Sequence, residues 1–344
     1  MNRTVLLNSL LLFFFPSFSG QAQVVVLVEN DLDAVRTGET IEIRASELLR
    51  LLPTSDPKRF HVADEQGNRL LVQPVDLAGD GIIEQLIFQA DFQPREVRQF
   101  TITLGEPQQL TREQFKAYGR FVRERFDDFA WENDRVAHRM YGPALETWQR
   151  EPLTSSAVDI WCKRVRRLVI NYWHMVDDYH TDTGEGADFY SAGKSRGCGG
   201  SGIWVDNKLH PSRNFMSSRV LANGPIRVVF ELDYGAWVVK GQRIAETKRI
   251  TLDAGQNLSR FESRYLRASL GDLTVGVGIK KSAGSTVKVK TGEGWLRTWE
   301  PVKGNGNVGC GIVADPASIV DSVEDDLNYL LLLRSPDGFS VSYL

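Results

Sequence analysis

Short runs of β-branched and aromatic residues recur along the chain, each broken by Gly, Asn, Asp or Pro. Val24–Val28, Thr40–Ile43, Gly81–Phe88, Gln99–Leu104, Ile226–Tyr234, Arg249–Leu252, Thr274–Ile279, Thr286–Lys290 and Leu330–Leu333 read as strands. Asp206-Asn207, Ala222-Asn223-Gly224-Pro225 and Asp337-Gly338 supply turns between them. Long helical periodicity is missing, and the best helical candidates are short, at Thr111–Tyr118 and Arg166–Met175. The pattern predicts an all-β, mostly antiparallel fold.

Ahead of these strands stands a different signal. Arg3 precedes the apolar run Val5–Phe15, followed by Pro16, the mostly small stretch Ser17–Ala22 and an A-x-A-like Gly20-Gln21-Ala22. This is the layout of a secretory signal peptide, too short to span a bilayer that needs roughly 20 residues. The expectation is a secreted or periplasmic protein with no membrane span. Residues 1–22 are read as the signal and 23–108 as a small β-sandwich-like region. Residues 109–344, which hold all eight Trp, are read as a larger sandwich with longer strands.

Composition narrows the function classes. With 41 Lys+Arg against 44 Asp+Glu and no basic run, the chain lacks the basic stripe of a nucleic-acid binder. Three Cys in 344 residues cannot form a disulfide scaffold, and spacing does not choose a pair.

Three stretches carry candidate chemistry. Asp76–Glu84 places acids at the first, fifth and ninth positions of a loop, but lacks the further oxygen ligands of an EF-hand, so a turn at Asp80-Gly81 is the simpler reading. A divalent cation stays open as a cofactor. The second stretch is Trp131–Gly142. Read as one strand, it puts Asn133, Arg135, Arg139 and Tyr141 on the face of Trp131, and Glu132, Asp134 and His138 on the other. Arginines beside aromatics suit a carboxylate ligand as well as a surface ion pair.

The third stretch, Tyr179–Tyr190, gathers His180, Asp182, Glu185, Asp188 and Tyr190 around Gly184 and Gly186. Glycines so placed make a loop whose backbone can approach a ligand closely. Its imidazole and carboxylates fit general acid–base chemistry, a metal, or a hydrogen-bonded brace. His174 could join His180, and Trp204 lies on a turn-rich segment downstream.

These residues resemble the DUF4861 family of secreted bacterial proteins. The likeness rests on Asp127–Asp134, Tyr141–Leu145, Tyr179–Asp182 with Gly184-Glu185-Gly186, Asp188–Tyr190, and Cys198-Gly199-Gly200 with Gly202-Ile203-Trp204. The resemblance implies a galactose-mutarotase-like super-sandwich and a part in polysaccharide degradation. The family's pattern continues past the final strand, whereas this chain stops at Tyr343-Leu344; if the further segment supplies one wall of the cleft, the expectation is an inactive chain or a fragment.

The resulting expectation is a lyase that splits an acidic oligosaccharide by β-elimination. Arg135 or Arg139 would neutralise the uronate, His180 would take the proton beside it, and Tyr190 or Tyr179 would protonate the leaving oxygen. Glu132, Asn133, Tyr141, His174 and Trp204 complete the expected binding set. A hydrolase using two of Asp182, Glu185 and Asp188, or a non-catalytic glycan-binding module, is the alternative.

Overall fold

Val24, Val26 and Val28 are fully buried, the period-two burial of a strand with one face on a core. In the computed structural model, which describes residues 11–16, 22–149, 153, 156–176, 178–267, 271 and 273–344, these valines lie in strand Ala22–Glu29. That strand pairs antiparallel with Val97–Leu104. A five-stranded and a three-stranded sheet close over this N-terminal core, where the rings of Phe88 and Phe100 sit 4.9 Å apart. Of the expected signal, residues 1–10 and 17–21 lie outside the described residues, and Leu11–Pro16 pairs with Ala22–Leu27.

The strand expected over Gly81–Phe88 starts only at Gln85. Asp76 accepts hydrogen bonds from the Gly79 and Gly81 amides at 2.6 and 2.7 Å, and Glu84 accepts from Leu77 at 2.5 Å. The acids therefore bind the loop's own donors and hold a turn.

The larger part of the chain is likewise antiparallel. Its central sheet runs Phe215–Asn223, Arg227–Val239, Gln242–Asp253, Arg260–Arg267 and Ser340–Tyr343 in spatial order. Against it packs a second sheet built on the hairpin Asp128–Asn133 and Ala137–Met140, with Phe129 stacked on Phe230 at 4.1 Å. One core joins these two sheets to a third containing Cys198–Val205 and Thr274–Lys280, and to a three-stranded sheet ending in Gly306–Val313. The N-terminal part docks through Val75 and Ile87 onto Ala222, Ile226 and Val229. Buried Gln73 fixes that junction by bonding the main chain of Ile226 and Arg227.

Both expected helices shrink. Thr111–Tyr118 holds one three-residue turn before strand Ala117–Val122 begins. Arg166–Met175 holds the four-residue helix Ile170–Trp173, whose first amides are accepted by the buried Glu132 carboxylate.

The Trp131–Gly142 stretch is a hairpin rather than one strand, and this reorders its faces. Trp131 pairs with His138 and stacks on it at 5.2 Å, while Ala130 pairs with Arg139. Reversal at Asp134–Val136 breaks the alternation that one strand would keep. His138 therefore shares the Trp131 face and Arg139 faces away, a correction to the sequence reading.

Candidate functional site

The outer face of the hairpin sheet carries a buried charge cluster centred on Arg139. Its guanidinium meets Asp159 at 2.8 Å, Asp188 at 3.0 Å and Asp128 at 3.5 Å. Tyr141 donates its hydroxyl to Asp159 at 2.9 Å. Residues 164–176 and 178–190 cover this face, closing an apolar patch of Trp161, Val169, Ile170, Trp173 and Tyr179. Burial pushes Asp128 up to about 7 and raises Asp188 well above the usual carboxylate range, although Arg139 pulls both down. The single Arg139 guanidinium thus offsets only part of the cost of burying Asp128 and Asp188. Arg139 and Tyr141, expected on a ligand face, are occupied inside the protein.

The loop that follows positions His180. Gly186 adopts φ +97°, and a Cβ there would stand 1.9 Å from the Cys162 carbonyl oxygen, so only glycine fits. Tyr179 is buried, whereas His180 is exposed with its side chain 57% accessible, its ring 4.6 Å from the Tyr179 ring. His180 Nδ1 lies 3.1 Å from the Asp188 carbonyl oxygen. A carbonyl can only accept, so Nδ1 donates to it, and in the neutral ring this leaves the lone pair on Nε2.

Beside it, the Tyr179 hydroxyl oxygen accepts from Arg125 Nε at 2.8 Å and Arg139 Nη1 at 3.0 Å. Its own O–H is left to donate. Arg125 is half-buried and lies over the Phe126, Trp148 and Tyr179 rings at 5.5, 5.9 and 4.9 Å. Arg125 escaped the sequence reading. Its only signal was a basic residue just before Phe126, in a stretch with no periodic pattern.

The other expected residues are dispersed. Asp182 bonds Arg164 at 2.6 Å and the Gly184 and Gly186 amides, which hold its carboxyl below the usual range. Glu185 pairs with Arg167. Tyr190 is buried in the main core, with Lys280 Nζ 4.0 Å from its ring centre and its hydroxyl near Cys310. Glu132 pairs with Lys163 at 2.7 Å, and Asn133 donates to the Asp253 and Gln256 carbonyls, bracing the hairpin. His174 donates from Nδ1 to Ile170 and packs on Trp161, and desolvation lowers it to about 4. Trp204 is half-buried in strand Cys198–Val205. Arg135 is exposed, and its guanidinium makes no ion pair or hydrogen bond among the described residues.

For a metal, the described residues bring together one group, Asp76, Asp80 and Glu84, whose ligand atoms lie within 4.8 Å of one another. It sits in the N-terminal part, and its oxygens already bind loop amides. Asp182, Glu185 and Asp188 do not converge.

Residues 28–344 match the family described as Domain of unknown function (DUF4861). The chain belongs to that family. It is also 34% identical over 310 residues to a Formosa agariphila protein described as "Uncharacterized protein P7", an alignment covering 87% of this chain and 77% of that one. For this family member, no helix among the described residues is long and apolar enough to cross a membrane.

Proposed function

We propose that this family member is a secreted carbohydrate-active enzyme that splits uronate-containing oligosaccharides by β-elimination, on a galactose-mutarotase-like sandwich. The observation that carries the reading is the His180–Tyr179 pair. An exposed imidazole has its tautomer fixed by Asp188, and an adjacent phenol is held between two guanidiniums.

Arg125 neutralises the uronate carboxylate, whose negative charge otherwise resists loss of the neighbouring proton. His180 Nε2 takes that proton, the electron pair forms the new carbon–carbon double bond, and the glycosidic carbon–oxygen bond breaks. Tyr179 then donates its proton to the departing oxygen and regains one from solvent. A positioned acid or base contributes about 10²–10⁴-fold in rate. Paired-carboxylate hydrolysis has less support, because Asp182, Glu185 and Asp188 each face an arginine. The Val5–Phe15 run supports export.

The test is a panel of uronate oligosaccharides followed by ultraviolet absorbance of unsaturated ends and by new reducing ends. Elimination raises both signals together. New reducing ends without absorbance would establish hydrolysis, and a retained complex with neither product would establish a binding module.

A further inference from the structure

The inner face of the hairpin sheet borders a cavity of about 370 Å³ that none of the His180-site residues Arg125, Tyr179 or His180 lines. Its size falls within the range of small-molecule sites. Among the described lining residues are Arg135, His138 and Lys163, none is Asp or Glu, and Leu344 contributes a main-chain oxygen, which accepts from the Val313 amide. Lys163 is held by Glu132 and the Asn133 carbonyl, so Arg135 is the available cation.

His138 adds a second, independent pointer to a ligand. Both ring nitrogens are buried without a hydrogen-bond partner, the Asp159 carbonyl being near but outside bonding geometry. Such a group is costly to leave unpaired, by the desolvation of a polar atom. Phe261 and Tyr343 form an apolar wall, their rings parallel within 2° at 5.0 Å. Asn257 and Asn307 add amides at the lining.

We propose that this cavity binds a monosaccharide-sized sugar acid, its carboxylate on Arg135, a hydroxyl on His138, and its apolar ring face on Phe261 and Tyr343. The choice of a sugar acid rests on the function proposed above. The existence of an anion-selective site rests on the cavity alone.

Cys162, Cys198 and Cys310 all line this cavity, and they are the 3 cysteines of the whole chain. Alkylation of the native protein therefore reports on this cavity and nowhere else. The test follows thiol alkylation by a neutral maleimide, by mass, with glucuronate, galacturonate, glucose or galactose present, and titrates the same sugars by calorimetry. The expected result is at least tenfold slower alkylation with a saturating uronate and no slowing with the neutral sugars. Arg135→Ala should weaken uronate binding about ten- to a hundredfold, as for loss of a charged hydrogen bond, without changing the melting temperature. His180→Ala should leave protection intact, so failure of the elimination reading is visible separately from failure of this one. Equal protection by neutral sugars, or none by any uronate, would overturn the proposal. A uronate that bound without slowing alkylation would place its site elsewhere and overturn it equally.

Discussion

His180 Nδ1 stands 3.1 Å from the main-chain oxygen of Asp188 and 3.7 Å from its carboxylate, which in turn holds Arg139. The exposed imidazole is therefore oriented by a residue whose side chain is anchored in the buried charge cluster. Orientation comes from the main chain, so it survives protonation of the carboxylate.

Replacement of His180 by Ala or Gln should lower turnover on a uronate substrate at least about a hundredfold. Thermal unfolding should be unchanged, because the side chain is exposed. Gln retains hydrogen bonding but takes up no proton near neutrality. Full activity in His180→Gln would make the residue a structural donor.

The two arginines of the hairpin should behave oppositely. Arg139→Ala leaves Asp128, Asp159 and Asp188 without their counter-charge and should cost about 3–5 kcal/mol, the loss typical of a broken buried ion pair. Arg135→Ala removes an exposed, unpaired group and should stay within about 0.5 kcal/mol in denaturant melts.

The contribution of Asp128 to stability should fall as pH rises from about 4 towards 7, while His138 and His174, which burial lowers to about 4, contribute with the opposite sign. Asp128 goes from 3.8 in the unfolded chain to about 7 in the folded one, so the folded state binds the extra proton across that window. The contribution is complete below the unfolded value and lost as pH passes the folded one. Asp188 is raised in the same direction. Asp128→Asn keeps the shape without the titration and should make the change in unfolding free energy from pH 5 to pH 8, measured in urea, more positive than in the parent. An unaltered change would assign the pH dependence to other groups.

Gly186→Ala should damage the loop rather than a catalytic group. The added methyl meets the Cys162 carbonyl oxygen at 1.9 Å in a backbone region that L-residues avoid, at about 1–3 kcal/mol for the strain alone. A lower melting temperature together with lost activity is expected. Gly184, at φ +102° with no atom within 4 Å of an added Cβ, should show the smaller effect.

If Val5–Phe15 is a signal core, secreted material should begin at or near Gln23. N-terminal sequencing that still found Met1–Ala22 would refute export by this route.

The alternation of valines, isoleucines and aromatics determined that this chain is all-β and antiparallel. Each strand's pattern is local, and a one-residue slip would turn the buried face to water. The same local logic showed that residues 179–190 form a loop, since Gly184 and Gly186 exclude a helix. The partners of the charged groups were decided only by tertiary structure. The reversal at Asp134–Val136 sends Arg139 into a ring of three aspartates and His138 towards a cavity, because a hairpin breaks the face alternation of a single strand. Arg125 reaches Tyr179 across 54 positions, and Cys162, Cys198 and Cys310 meet around one cavity from three separate strands. Such pairings depend on which sheets pack together, a long-range property that no window of the sequence contains.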